Sequence, residues 1–195
     1  EFARSYEIGA IGNNLVVDRE LVLANLQAVQ DANGLEVARS IVGDSLEFDI
    51  EMETGTGKTY VYLRTIFELA KNYNFTKFVI LVPSVAIREG VATSIRLMTE
   101  HFRSLYPATP FDWQVYSGKN PEQVQGFATS TSIQILIMTI DSIRGDANNR
   151  IMHQTRDKLN GLKPIEYLKA TRPVVIMDEP QNMESLLSQS SISEL

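Results

Sequence analysis

The sequence predicts an α/β fold in which helices flank both faces of a mainly parallel β-sheet. Short, mostly apolar runs recur at residues 77–82, 133–138 and 174–177, and polar or amphipathic stretches separate them. A glycine-rich loop stands before the first amphipathic stretch of this series. Apolar runs without alternation are typical of parallel strands that are buried on both faces. Their alternation with helical stretches indicates crossover connections.

The composition indicates one globular domain. The chain has 195 residues, of which 44% are hydrophobic, and this is enough for one sizeable core. Without cysteine, neither a disulfide framework nor a cysteine-based zinc site is possible. No apolar stretch approaches the roughly 18 residues of a membrane span, so we expect a soluble, cytoplasmic protein with no membrane partner. Because the first residue is not methionine, we also expect a piece of a longer protein.

The charge is unevenly distributed along the chain. The formal net charge is −6, with −7 over residues 1–58 and +1 over residues 59–195. Contacts with DNA phosphates require lysine and arginine, so this balance argues against a simple electrostatic clamp on DNA. Basic character nevertheless increases toward the C-terminus.

The N-terminal part predicts two helices. Asp18 is a favourable N-cap for a helix through about Asp31, which the turn residues Asn33-Gly34 end. A second, short helix is expected over residues 35–41. We therefore predict a helical lead-in over residues 1–45.

The main domain is predicted over residues 46–195. Residues 46–52 alternate strictly between apolar and polar side chains, the pattern of a strand, and the glycine loop follows at once. Residues 58–71 then predict a helix, with apolar side chains at helical spacing at Tyr62, Ile66, Leu69 and, two residues beyond this run, Tyr73.

The alternation of predicted strands and helices continues after that helix. Residues 77–82 form a continuous apolar run that Pro83 stops, and Ser84 can cap the next helix. That helix has an apolar stripe at steps of three and four, made of Ile87, Val91, Ile95, Met98 and Phe102. Residues 113–116, 133–138 and 174–177 are the remaining strand candidates.

The glycine loop Thr54-Gly55-Thr56-Gly57-Lys58-Thr59 predicts a phosphate-binding site. Glycines let the backbone fold tightly, so that its N–H groups and the start of the next helix face an anion. Lys58 would reach the β- and γ-phosphates of ATP, and the Thr59 hydroxyl would bind Mg²⁺. Met52 stands where the general pattern begins with glycine. The alternative is a glycine-bearing turn that happens to contain a lysine.

Two carboxylates follow the last predicted strand. Asp178 and Glu179 come directly after the apolar residues 174–177, at the edge where open parallel sheets bind ligands. Asp178 would hold the Mg²⁺ shell through water, and Glu179 would orient and deprotonate the attacking water. The alternative is an exposed acidic turn after a core strand.

Three segments together resemble one known family. Residues 52–62, 82–91 and 178–181 are similar to the Res subunit of type III restriction enzymes, which are superfamily 2 helicase-like motors related to the DEAD group. In that family methionine is an ordinary variant at the position of Met52. Asp-Glu-Pro-Gln stands where relatives have Asp-Glu-Ala-Asp or Asp-Glu-x-His. The resemblance implies a P-loop NTPase (RecA-like) lobe with an α/β sheet.

The resemblance also implies residue roles in catalysis. Lys58 and Thr59 correspond to helicase motif I, the Walker A loop, and Asp178, Glu179 and Gln181 correspond to motif II. ATP and Mg²⁺ are the implied cofactors. A second RecA-like lobe with an arginine finger, and a nuclease domain, are not expected within these residues.

Four further residues are implied to face nucleic acid. Pro83, Ser84 and Arg88 correspond to motif Ia, and Thr139 resembles the strand-end threonine of motif Ib. Hydroxyls and N–H groups at strand ends can position a DNA phosphate without reading bases. Alternatively, Ser84 and Thr139 simply cap helices, and Arg88 is an ordinary surface ion-pair residue.

For the whole protein, the resemblance implies an ATP-dependent DNA translocase. It would act on double-stranded DNA with a modification (methyltransferase) subunit, as part of a type III site-specific endodeoxyribonuclease. Other possibilities remain open: another superfamily 2 DNA or RNA helicase, a P-loop kinase, or a nucleotide-sensing module without hydrolysis.

Overall fold

The computed structural model describes residues 8–41, 43, 46–143 and 151–183. The chain divides into two compact units, one of Asn14–Lys58 and the other of Glu1–Asn13 with Thr59–Leu195. The α-helices are α1 (Arg19–Ala32), α2 (Lys58–Tyr73), α3 (Val85–Leu105), α4 (Gln123–Thr129) and α5 (Pro164–Thr171). The strands are β1 (Lys77–Val82), β2 (Phe111–Val115), β3 (Ile133–Thr139) and β4 (Val174–Met177). The division into a lead-in over residues 1–45 and a lobe over residues 46–195 stays a prediction.

Helix α1 confirms the first predicted helix. The Asp18 carboxylate caps its start by accepting from the Leu21 amide at 2.8 Å. The predicted second helix over residues 35–41 is wrong, because this segment is irregular. Its Ala38 backbone bonds instead to side chains of α1: the carbonyl accepts from Gln27 at 2.8 Å, and the amide donates to Gln30 at 2.9 Å.

The strand predicted immediately before the glycine loop is also absent. Residues 46–52 are irregular, although their side chains alternate. Phe48 and Ile50 are 46% and 73% exposed, so the apolar half of the pattern is not buried. A strand is held by ladder hydrogen bonds to a neighbour. Within the described part of the unit Asn14–Lys58, no strand is available to pair with this segment.

The described residues of the larger unit form a four-stranded, all-parallel sheet in the order β2-β3-β1-β4. Strand β1 lies between β3 and β4, with Val79 beside Leu136 on one side and Val175 on the other. The predicted bounds of β1 and β4 are confirmed, and β2 begins two residues earlier than expected. The carboxyl ends of all four strands therefore lie at one edge of the sheet.

Helices cover both faces of this sheet, as the apolar runs predicted. Phe78 and Ile80 of β1 pack in a core cluster with side chains of α2 and α3. Val79 and Leu81 point to the opposite face, into a second cluster with α4 and α5. All six residues of β1 are buried, which explains why its sequence shows no alternation.

Helix α3 confirms the predicted apolar stripe. Val91, Ile95 and Phe102 are buried against the sheet, and the ring of Phe102 stacks on Phe67 of α2 with centroids 4.9 Å apart. The Ser84 hydroxyl caps the helix by accepting from the Ile87 amide at 3.3 Å. In the part of the chain that the structure describes, no helix is both long and apolar enough to span a membrane.

The amino edge of the sheet contains polar contacts that the sequence did not predict. The buried Asn13 side chain accepts from the amides of Thr76 and Lys77 at 2.8 and 3.1 Å, and donates to the Lys77 carbonyl at 2.7 Å. The Lys77 side chain is itself buried, and its Nζ donates to the Ser130 carbonyl at 2.6 Å. Burial lowers the pKa of Lys77 to about 8.

Candidate nucleotide-binding site

The glycine loop forms a tight turn with an exposed backbone. Gly55 and Gly57 have φ angles of +81° and +89°, which an L side chain rarely adopts. The Thr56 amide and hydroxyl both bond to the Glu53 carbonyl, at 3.4 and 2.6 Å. The predicted turn geometry is thus confirmed, and glycine is required at these two positions by conformation.

Lys58 closes the loop and begins α2. Its Nζ donates to the Met52 carbonyl at 3.4 Å, so residue 52 contributes a backbone atom to the loop. Met52 does not have a positive φ, unlike Gly55 and Gly57, and an L side chain is therefore tolerated there. The helix after the loop is confirmed. The prediction of a strand before the loop is wrong, because residues 46–52 are irregular.

Asp178 extends the sheet by one residue. Its backbone amide donates to the Leu81 carbonyl at 3.0 Å, which continues the β1–β4 pairing past Met177. The half-buried carboxylate therefore stands at the carboxyl edge of the sheet, as predicted. Pro83 and Ser84 follow β1 at the same edge.

Glu179 leaves the sheet in an unusual backbone conformation. Its φ and ψ are 57° and 55°, the left-handed region, which costs an L-residue about 1–2 kcal/mol. Its carboxylate accepts from the Asn182 side chain at 2.8 Å, across the short 3-10 turn Pro180–Asn182. Gln181 is exposed on this turn, and the buried Met183 ends it. Asn182 is thus a neighbour of the predicted base that the sequence analysis missed.

Tyr62 was predicted only as part of an apolar stripe, but its hydroxyl lies near two predicted metal ligands. The Tyr62 oxygen is buried and forms no hydrogen bond of standard geometry. Burial raises the pKa of Tyr62, the adjacent Thr59 side chain opposes that shift, and the Asp178 carboxylate adds to it. The structure therefore brings Thr59, Tyr62 and Asp178 together, and only the first and last were predicted as site residues.

The residues predicted to face nucleic acid lie at the ends of β1 and β3. Ser84 caps α3, and the Thr139 hydroxyl bonds to that of Ser142 at 3.0 Å. Arg88 pairs with the neighbouring Glu89 carboxylate, at 2.9 Å from Nη2 and 3.2 Å from Nε. Ser84 and Arg88 thus have the partners expected of a helix cap and a surface ion pair, whereas the Thr139 side chain makes no capping hydrogen bond. Their role toward DNA stays a prediction.

Comparison with known proteins identifies the family. The family model described as "Type III restriction enzyme, res subunit" matches residues 19–192. The chain belongs to this Res subunit family. It is 31% identical to the EcoPI Res subunit of Escherichia phage P1 over 91% of the chain. It is 32% identical to the EcoP15I Res subunit of Escherichia coli over 80% of the chain, and 36% identical to the StyLTI Res subunit of Salmonella typhimurium over 70%.

Membership of the Res family confirms the predicted fold class. The parallel sheet with helices on both faces is an α/β, RecA-like P-loop NTPase fold. The chain spans only 21%, 18% and 16% of the length of the EcoPI, EcoP15I and StyLTI relatives.

Proposed function

We propose that this chain binds and hydrolyses ATP as the motor lobe of a DNA-dependent ATPase. The supporting observation is the glycine loop, which turns on Gly55 and Gly57 and leads directly into the first turn of α2, a helix of 16 residues. Exposed backbone amides beside a helix N-terminus favour phosphate. Residues 54–59 would hold the phosphates of ATP, and Lys58 would contact the β- and γ-phosphates in place of the Met52 carbonyl.

The oxygen ligands near the start of α2 fit Mg²⁺. Thr59 offers a hydroxyl and Asp178 a carboxylate, and Mg²⁺ prefers oxygen while keeping several waters and substrate phosphates as ligands. Two protein ligands are therefore sufficient. When bound, Mg²⁺ neutralises the charge on the β- and γ-phosphates. Thr59 and Asp178 would be the residues that hold the metal.

Glu179 is proposed as the general base. Its side chain is held by Asn182 and its backbone departs from the sheet, whereas the Asp178 backbone stays in register with β1. It would accept a proton from water attacking the γ-phosphate. Gln181 is included in the catalytic set because it occupies the last position of the Asp-Glu-Pro-Gln motif, on the turn that follows.

DNA contact is proposed for the carboxyl edge of the sheet. Pro83, Ser84 and Arg88 follow β1, and Thr139 is the last residue of β3. Because β1 and β3 are neighbouring strands, all four residues lie at or after the carboxyl end of a neighbouring strand. They would hold a phosphate backbone without reading bases. Within the whole enzyme, we propose that ATP hydrolysis drives movement or switching on double-stranded DNA before cleavage, together with a modification subunit.

The test is ATP hydrolysis by the full-length protein with and without double-stranded DNA. We expect Mg²⁺-dependent phosphate release that DNA stimulates and that Lys58→Ala abolishes. Stimulation by RNA in place of DNA would indicate another superfamily 2 helicase. Phosphorylation of an acceptor would indicate a kinase, and ATP binding without phosphate release would indicate a nucleotide sensor.

A further inference from the structure

The Tyr62 hydroxyl is a buried polar group without a partner. Among the described side chains, the atoms of this kind are the hydroxyls of Tyr62 and Tyr116 and the Nε of Arg156. A buried polar group left without a hydrogen bond destabilises the folded state. A phenylalanine at position 62 would avoid that cost while filling the same space, so the hydroxyl requires an explanation.

The position of Tyr62 indicates which groups its hydroxyl serves. Thr59 and Tyr62 are three residues apart in the first turns of α2, and side chains at that spacing lie on one face of a helix. The Tyr62 ring packs against the same core cluster as Val174 and Ile176 of β4. That strand leads directly to Asp178. Because side chains alternate along a strand and Asp178 stays in register with β1, Asp178 points to the same face of the sheet as Ile176, the face that the Tyr62 ring packs on.

We propose that Tyr62 positions the two protein ligands of the Mg²⁺ site. When ATP–Mg²⁺ is bound, the Thr59 hydroxyl turns a lone pair to the metal and donates its proton to the Tyr62 oxygen. The Tyr62 hydroxyl in turn donates to the Asp178 oxygen that does not face the metal. This inference rests on the proposed function, because it assigns Thr59 and Asp178 to Mg²⁺.

The chemistry of tyrosine suits this relay. A hydroxyl accepts one hydrogen bond and donates another, whereas phenylalanine does neither. A tyrosine hydroxyl is protonated at physiological pH, so its proton is available to the carboxylate. Groups that orient metal ligands without touching the metal affect affinity or activity by about 10- to 100-fold when removed. The unpaired hydroxyl is then a group whose partners align when ATP–Mg²⁺ binds.

The test compares Tyr62→Phe with Tyr116→Phe in the full-length protein. Tyr116 is a matched control because its hydroxyl is also buried and unpaired, but it lies in the second core cluster, on the opposite face of the sheet. ATP hydrolysis is measured against Mg²⁺ concentration, nucleotide binding is measured in EDTA, and thermal unfolding is followed for each variant.

We expect Tyr62→Phe to raise the Mg²⁺ concentration for half-maximal hydrolysis by about tenfold or more. Nucleotide binding in EDTA should stay within about twofold of the parental value, because the phosphate loop is intact. Tyr116→Phe should retain parental Mg²⁺ dependence.

A parental Mg²⁺ dependence of Tyr62→Phe would overturn the inference, whether its Tm rises or falls, because the hydroxyl would then matter only to folding. The proposed function would still stand if Lys58→Ala lost nucleotide binding in parallel. A parental protein without Mg²⁺-dependent hydrolysis would instead overturn the proposed function and this inference together.

Discussion

The backbone amide of Asp178 donates to the carbonyl oxygen of Leu81 at 3.0 Å, one residue beyond the last residue of β4. This bond holds Asp178 in register with β1. Glu179, the next residue, has left-handed backbone angles and is held through its side chain by Asn182. Two adjacent carboxylates are therefore fixed by different means, the first by the sheet and the second by a turn.

These different restraints predict different consequences of mutation. Glu179→Gln keeps the shape and the hydrogen bond to Asn182 but removes the base, so it should bind ATP–Mg²⁺ and DNA yet stop before hydrolysis. The expected loss of turnover in the full-length protein is on the order of 10²- to 10⁴-fold, with nucleotide affinity nearly preserved. A nucleotide titration beside a phosphate-release assay measures both.

Asp178→Asn should behave differently, because it removes a charge directed to the metal. We expect it to increase the Mg²⁺ concentration required for hydrolysis, which Glu179→Gln should not do. Near-parental hydrolysis by Glu179→Gln would show that Glu179 is only an acidic residue on a turn. Equal Mg²⁺ dependence of the two variants would contradict the separate roles.

Lys58→Ala should abolish nucleotide binding at working concentrations while leaving the fold intact. The mutation removes a charge-assisted phosphate contact, and the folded protein loses only the 3.4 Å contact with the Met52 carbonyl. Lys71→Ala, in the last turn of the same helix, is the matched control and should bind ATP normally. Unchanged ATP affinity of Lys58→Ala in a titration would rule out the phosphate-loop assignment.

Arg88→Ala should reduce DNA stimulation of the ATPase in the full-length protein. Losing one phosphate contact should lower the slope of log K against log salt by roughly one unit, with basal ATP binding unchanged. Arg103→Ala is the control, because Arg103 also pairs with a glutamate, Glu100, about 22 Å further along α3. If both variants keep the parental salt slope, Arg88 is an ordinary ion-pair residue.

Residues 1–195 in isolation should bind ATP–Mg²⁺ weakly and hydrolyse it very slowly. Stabilisation of the transferring phosphoryl group by an arginine finger accounts for about 10³- to 10⁵-fold in rate, and we place that arginine in a second lobe. Phosphate release by the isolated residues, compared with that by the full-length protein, measures the difference. Robust turnover by residues 1–195 alone would contradict the prediction.

Stability should increase with pH between about 8 and 10, because of Lys77. Burial lowers its pKa to about 8 in the folded protein, so above that pH the folded chain binds fewer protons than the unfolded chain. Stability therefore rises with pH through this range. Lys77→Met should lose that rise, and thermal unfolding of both proteins at pH 7.5 and 9.5 measures it. Parallel pH dependence of the two proteins would show that Lys77 does not titrate there.

Local patterns predicted most of the sheet and its helices. The apolar run 77–82 predicted β1 correctly because all six side chains of this strand are buried. The apolar stripe from Ile87 to Phe102 likewise predicted the buried face of α3. The same reasoning failed for residues 46–52, where alternation occurs without a partner strand. Side-chain periodicity records which residues can be buried. Strand formation also requires a neighbouring ladder, which no local pattern specifies.

By itself, the sequence determined the α/β class, the glycine loop and the two carboxylates after β4. These features depend on short-range spacing and on the conformations that glycine allows. Only the tertiary structure decided the strand order, the burial of Lys77 and the approach of the Tyr62 hydroxyl to Thr59 and Asp178. Each of these results from packing between segments far apart in the chain. No local pattern specifies whether these side chains are exposed or buried, or which groups they contact.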